Sequence, residues 1–109
     1  MCNVNRYQTK FLNGIYPELQ QAIHDAILAG ILKSRYLNGK LLSDYIHEHR
    51  NLYPRLGNRN SQYINWVMYH YAVHAKKWEL RTARKGHGGR IFTMPEHFIE
   101  DVITGVALV

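Results

Sequence analysis

Residues 78–94, WELRTARKGHGGRIFTM, constrain the fold more than any other stretch of this 109-residue chain. Trp78 to Arg84 and Arg90 to Met94 are short runs rich in Thr, Ile and aromatic residues, and Pro95 stops the second. Between them stands the five-residue loop Lys85-Gly86-His87-Gly88-Gly89. Two such runs joined by a glycine loop predict a β-hairpin with a basic tip. Glycines beside cations would also suit a phosphate-cradling enzyme loop. That loop, however, needs a strand before it and a helix N-terminus after it, so that backbone N–H groups converge on the anion. Here a strand follows, and neither GxxxxGK nor GxGxxG occurs. The enzyme-loop reading fails on context.

The residues before the hairpin carry helical periodicity. Residues 1–14 show no clear period and end in the turn signal Asn13-Gly14, so they read as an N-terminal arm or a short docked strand. Pro17 and Glu18 open a first helix, Pro suiting the first helical position and Glu the positive end of the dipole. Leu19, Ile23, Ala26, Ile27, Gly30 and Ile31 follow at helical spacing. Asn38-Gly39 gives a turn bordering a short strand at Arg35 to Leu37. A second helix is predicted from about Leu41 to Arg50, with Leu42, Tyr45, Ile46 and His49 on one stripe. Pro54 and Gly57 break it in the loop Asn51 to Asn58. A third helix starts at Asn60 or Ser61, both good N-caps, and runs to about Lys77. Its core face is Ile64, Val67, Met68, Tyr71 and Ala75. After the hairpin, residues 95–107 predict a C-terminal helix with a Phe98, Ile99, Val102, Ile103, Val106 stripe. Residues 15–109 therefore form one domain, mainly α with a small β-hairpin.

Charge narrows the function. Residues 50–90 hold nine cations and one acid, Glu79, a net +8, while the rest of the chain is −2. A one-sided basic surface is the footprint of a polyanion binder. Arginine outnumbers lysine six to three in that segment, which favours planar bidentate contacts. The start has no apolar run of a secretory signal, which predicts a cytoplasmic protein, and no stretch is apolar enough for a membrane span. Cys2 is the only cysteine, so no disulfide within the chain and no Cys-based zinc site can form. His70 and His74 lie i, i+4 but need a third ligand, and the residues of His47-Glu48-His49 point different ways on a helix. No metal and no cofactor is expected.

Three helices followed by the hairpin, with a basic glycine-rich tip and a polar start to the third helix, resemble the winged helix-turn-helix superfamily of DNA-binding domains. The resemblance covers Pro17 to Met94. It implies a non-enzymatic binder of double-stranded DNA, a small prokaryotic or phage transcriptional regulator. The third helix would enter the major groove and the wing would lie on the backbone. On this chain the helix start offers Arg55, Asn58, Arg59, Asn60, Ser61, Gln62 and Asn65. Arg can pair with guanine, and Asn or Gln with adenine. Lys76 and Lys77 close the helix, and Arg84, Lys85, His87 and Arg90 surround the wing tip. The loop Asn51 to Asn58 is longer than the turn usual in that family.

Other uses of such a fold stay open. The domain could bind a protein partner through Trp66, Tyr69 and Tyr63, or bind RNA, since fold does not fix function. A nuclease is disfavoured because no paired carboxylate motif for Mg²⁺ is present. A second copy docking on the C-terminal helix, giving a homodimer, and packing of that stripe on the first helix account for it equally.

Overall fold

The computed structural model describes residues 6–82 and 90–105. Helix α1 (Arg6–Leu28) is followed by strand β1 (Tyr36–Asn38), α2 (Gly39–Glu48) and α3 (Ser61–Tyr69). Helix α3 continues as a π-helical segment, His70–Ala75, before β2 (Glu79–Thr82), β3 (Ile91–Thr93) and α4 (Phe98–Thr104). The protein is thus mainly helical with one small antiparallel sheet.

The first helix begins eleven residues before Pro17, which corrects the expectation of an arm over residues 6–14 and of a helix opening at Pro17; residues 1–5 lie outside the described residues. A proline inside a helix removes one hydrogen bond and costs about 3 kcal/mol. Here Pro17 sits on the exposed side. The buried stripe passes it without a break, from Ile15 to Leu19, Ala22, Ile23, Ala26 and Ile27. Burying one Ile or Leu is worth roughly 1.5–3 kcal/mol, so two such side chains astride the proline offset its cost. Asn13-Gly14 is therefore helical, and an added Cβ on Gly14 would stand 3.2 Å from the Arg55 guanidinium.

The stripe also ends earlier than its spacing suggests. Gly30 adopts φ +81°, the left-handed conformation that favours glycine. Its N–H donates to Ile27 O at 3.1 Å and the Ile31 N–H to Ala26 O at 2.9 Å, the paired bonds of a Schellman stop. Ile31 is turned outward and Leu32 takes its place in the core.

Asn38-Gly39 starts a helix where a turn was expected. The Asn38 Oδ1 accepts the N–H groups of Lys40 (2.9 Å) and Leu41 (3.1 Å), capping α2 two residues before its predicted start. Leu42, Tyr45 and Ile46 are buried as the periodicity requires.

In the sheet, β3 lies between β1 and β2 and runs antiparallel to both. The two arms of the expected hairpin pair as β2 and β3, its tip over residues 83–89 lies outside the described residues, and β1 adds a third strand. Leu37, Phe92 and Leu80 occupy one cross-strand row. Leu37 and Phe92 are buried and Leu80 packs against the core, so this row faces the helices. A two-stranded hairpin alone is marginal in water. The third strand and the helical layer beneath supply what it lacks. The register shifts between Leu80 and Thr82, leaving Arg81 on the outer face with its guanidinium 4.3 Å over the Tyr36 ring.

Helix α3 buries Ile64, Val67 and Met68. The wider π-helical turn then shifts the buried position: Ala72 is enclosed beside Tyr71, and Ala75, expected in the core, is exposed. Lys77 ends the segment at φ +61°, short of continuing the helix, and the Trp78 N–H reaches back to Ala72 O at 2.7 Å.

Helix α4 spans fewer residues than the 95–107 expected. Pro95 to His97 form a turn, and Gly105 at φ +83° closes the helix. Phe98 meets His24 of α1 (centroids 5.9 Å apart) and Trp78 (5.4 Å), and Val102 is buried. Packing on α1 thus accounts for most of the stripe, although Ile103 points outward and Val106 lies outside the described residues. No helix among the described residues is long and apolar enough to cross a membrane.

Candidate nucleic-acid interface

The start of α3 is set by the loop before it, which is tied down at several points. Glu18 of α1 accepts two backbone N–H groups, from Leu56 at 2.6 Å and Arg55 at 3.0 Å. Seven residues along the same helix face, the Asp25 carboxylate accepts the Tyr53 hydroxyl at 2.5 Å. Tyr53 and Leu56 are buried, which makes the loop an extension of the core. Asn58 Nδ2 donates to Pro54 O at 3.1 Å, and the His47 Nε2–H bonds the Arg59 carbonyl at 2.7 Å. Asn60 then caps α3, its Oδ1 accepting the Tyr63 N–H at 2.8 Å. The length that set this loop apart from a tight turn is used to dock it on α1.

These ties divide the sequence-predicted residues by role. Arg55 lies against Gly14 of α1 and Asn58 closes the loop, so both serve its architecture. Asn60 is the cap. Ser61 and Gln62 are exposed at the first turn of α3, and Trp66, 37% exposed, stands one turn further. Asn65 is half-buried: its Oδ1 would be 3.2 Å from a Cβ on Gly39, so its carboxamide leans toward the start of α2. With Lys40, Ser43, Asp44 and Ser61 it lines a polar cleft of about 220 Å³. The Ser43 hydroxyl makes a long bond to Ser61 Oγ, 3.4 Å. The Lys40–Asp44 pair, 3.0 Å apart and exposed, is worth at most about 0.5 kcal/mol.

Cations border α3 without entering it. The Arg59 guanidinium lies 4.5 Å over the Tyr63 ring and that of Arg90 4.8 Å over the Tyr69 ring. Each such contact contributes about 0.5–1 kcal/mol at an exposed site. The Arg90 carbonyl accepts the Gly39 N–H at 2.9 Å, so the same residue ties the entry of β3 to α2 while its side chain reaches α3. Lys76 and Lys77 are exposed beyond the π-helical segment. Arg84, Lys85 and His87 lie outside the described residues. Sequence reasoning passed over Arg81 and Lys40. Their signals were alternation with Leu80 and a place two residues after the α2 cap.

Along α3 the aromatic side chains form a continuous ladder. Tyr63 meets Trp66 (5.9 Å), Trp66 meets the edge of His70 (4.9 Å), and His70 stacks on His74 (5.2 Å, planes 30° apart). The i, i+4 histidines therefore present near-parallel rings. Imidazole lone pairs lie in the ring plane, so these two do not converge on one point. No group of three or more His, Cys, Asp or Glu able to hold a metal occurs among the described residues. Burial, and after it the neighbouring His74, hold His70 below the ordinary imidazole value. Trp66 stays partly exposed within this ladder.

Comparison with family models, with curated proteins and with solved structures finds no match to this chain.

Proposed function

We propose that this protein is a winged helix-turn-helix domain that binds double-stranded DNA. Helix α3 enters the major groove, and the β2–β3 hairpin lies along the backbone as the wing. The order α1–β1–α2–α3–β2–β3 and the sheet order β1-β3-β2 support the architectural half of this reading. The observation that carries the functional half is the outward face of α3. It offers Ser61, Gln62 and Trp66 and no acid of its own, the neighbouring Asp44 of α2 being paired with Lys40, while Arg59 and Arg90 stand on tyrosine rings at its borders. Phosphate contacts position such a protein and base contacts specify its site, and this face has the residue types for both. A transcriptional regulator is the role that fits such a module.

Gel-shift titration with random duplexes at low salt tests the reading. With about five to seven phosphates neutralised, log K should fall against log[salt] with a slope of roughly −4 to −6. Charge reversal at Arg81 and Arg90 should weaken all sequences alike. Absence of binding at micromolar protein would falsify the proposal. The exposed Trp66 within its ladder favours a second reading, a protein partner docking on α3. Under that reading Trp66→Ala abolishes partner capture and no duplex is retained.

A further inference from the structure

We propose that α3 reads A·T base pairs in the major groove, through Gln62 and Trp66, an inference that rests on the duplex-DNA reading above. From Asn60 to Ala75 the chain has no Asp, Glu, Lys or Arg. The commonest specific contact, an Arg or Lys paired bidentately with guanine O6 and N7, is therefore absent from the body of the helix. So is the carboxylate that would accept the cytosine amino group. What the exposed face does offer is a carboxamide at Gln62 and a partly exposed indole at Trp66. A carboxamide pairs with adenine N6 and N7, and an apolar side chain contacts the thymine methyl group.

Ser61, also exposed, sits at the cleft beside Ser43, and a serine hydroxyl does not discriminate among bases, so geometry leaves these two as the readers that can choose. Gln62 and Trp66 are i, i+4 neighbours on one face, with Cβ atoms about 5–6 Å apart. That is roughly two base steps at 3.4 Å per step along a strand, so the pair spans about three base pairs. Asn65, the other amide of the helix, is turned into the cleft beside Gly39. Arg59, the nearest cation in sequence, lies over Tyr63. Tyr63 is about 100° round the helix from Gln62, which puts that guanidinium on the flank. Arg90 is stacked on Tyr69 at the hairpin side. The cations thus face phosphates, and the uncharged centre faces bases.

The test is selection of bound duplexes from a randomised pool by the full-length chain, followed by titration of the enriched duplex with thymine replaced by uracil. Enriched sequences should share an A·T core, preferred by about tenfold or more over the same duplex with G·C there, as one good base contact gives. Uracil substitution, which removes only the major-groove methyl, should cost wild type several-fold and Trp66→Ala nothing further. Gln62→Arg should move the preference toward guanine. Both positions are exposed, and a thermal melt of each variant checks that the fold is retained. A G·C core, binding without base preference, or indifference to uracil overturns the inference and leaves duplex binding intact. Failure to retain any duplex overturns the reading beneath it.

Discussion

Replacing Glu18 by Ala removes the carboxylate that receives the loop before α3. Its two bonds are unequal in surroundings. Leu56 is fully buried, and its N–H, bonded at 2.6 Å, would be left without an acceptor. A buried donor stranded in this way costs about 1–3 kcal/mol. Arg55 is exposed, so water can replace the carboxylate at its N–H, and the loss there is nearer 0.5 kcal/mol. The expected destabilisation is about 1.5–3.5 kcal/mol. Glu18→Gln can keep its one acceptor oxygen on the Leu56 N–H and should lose much less, nearer the roughly 0.5 kcal/mol of the Arg55 bond. Urea unfolding followed by tryptophan fluorescence reads this as a lower midpoint with an unchanged slope. Hydrogen exchange at the Leu56 amide should accelerate with it. Glu96→Gln, at an exposed site, controls for net charge and should stay within about 0.5 kcal/mol of wild type. If Glu18→Ala also falls within that range, the clamp contributes nothing and the loop is held by the burial of Tyr53 and Leu56 and by its other hydrogen bonds.

Three more perturbations test other parts of the fold. Gly57→Ala should destabilise by about 2–3 kcal/mol in the same unfolding assay, because an added Cβ would overlap the Arg50 backbone and stand 2.8 Å from Tyr53 O; a neutral result would mean the loop is looser than its hydrogen bonds imply. Lys77→Gly should raise stability by up to about 1 kcal/mol, since φ +61° strains a residue with a Cβ, while under the proposed duplex-DNA function losing one cation should flatten the salt slope by about one; a lowered melting temperature would count against the strain. Alkaline unfolding is governed by two buried tyrosines, Tyr71, pushed up to about 12 by burial and by Tyr16, and Tyr53, raised by burial and by its bond to Asp25. Unfolded tyrosine ionises near pH 10, so their contribution is whole below about pH 10 and is lost as pH rises toward the folded values, each adding a slope of about 1.4 kcal/mol per pH unit; urea midpoints that stay level up to about pH 11.5 would refute this.

Local pattern located the elements whose partners lie close by. The caps at Asn60 and the stripe through Leu42, Tyr45 and Ile46 are written in side-chain chemistry and spacing alone. So is the pairing of β2 with β3. What misled the pattern was packing from a distance. Pro17 and Asn13-Gly14 are breakers by local rule, yet Ile15 and Leu19 bury across them. Ala75 sat on the 3.6-residue period, but the π-helical turn enclosed Ala72 instead. Around α3, residue type pointed to Ser61 and Gln62, which are exposed, and to Arg90, which lies over Tyr69. It also nominated Arg55, Asn58 and Asn65, whose side chains or backbones are committed to α1, to Pro54 and to the Gly39 cleft. No rule of spacing reveals that Glu18 and Asp25 of α1 are the acceptors that fix where α3 begins.

Because β1 and β2 touch β3 and not one another, residues 91–93 act as a keystone. Tyr36 waits for Thr93, a partner 57 positions later, and long-range pairing of this kind slows folding. A chain leaving the ribosome can assemble α1, α2 and α3 while both flanking strands stay unpaired. On this topology the sheet can form only once the third strand has emerged. Truncation before Ile91 would remove the whole sheet and not merely one edge of it.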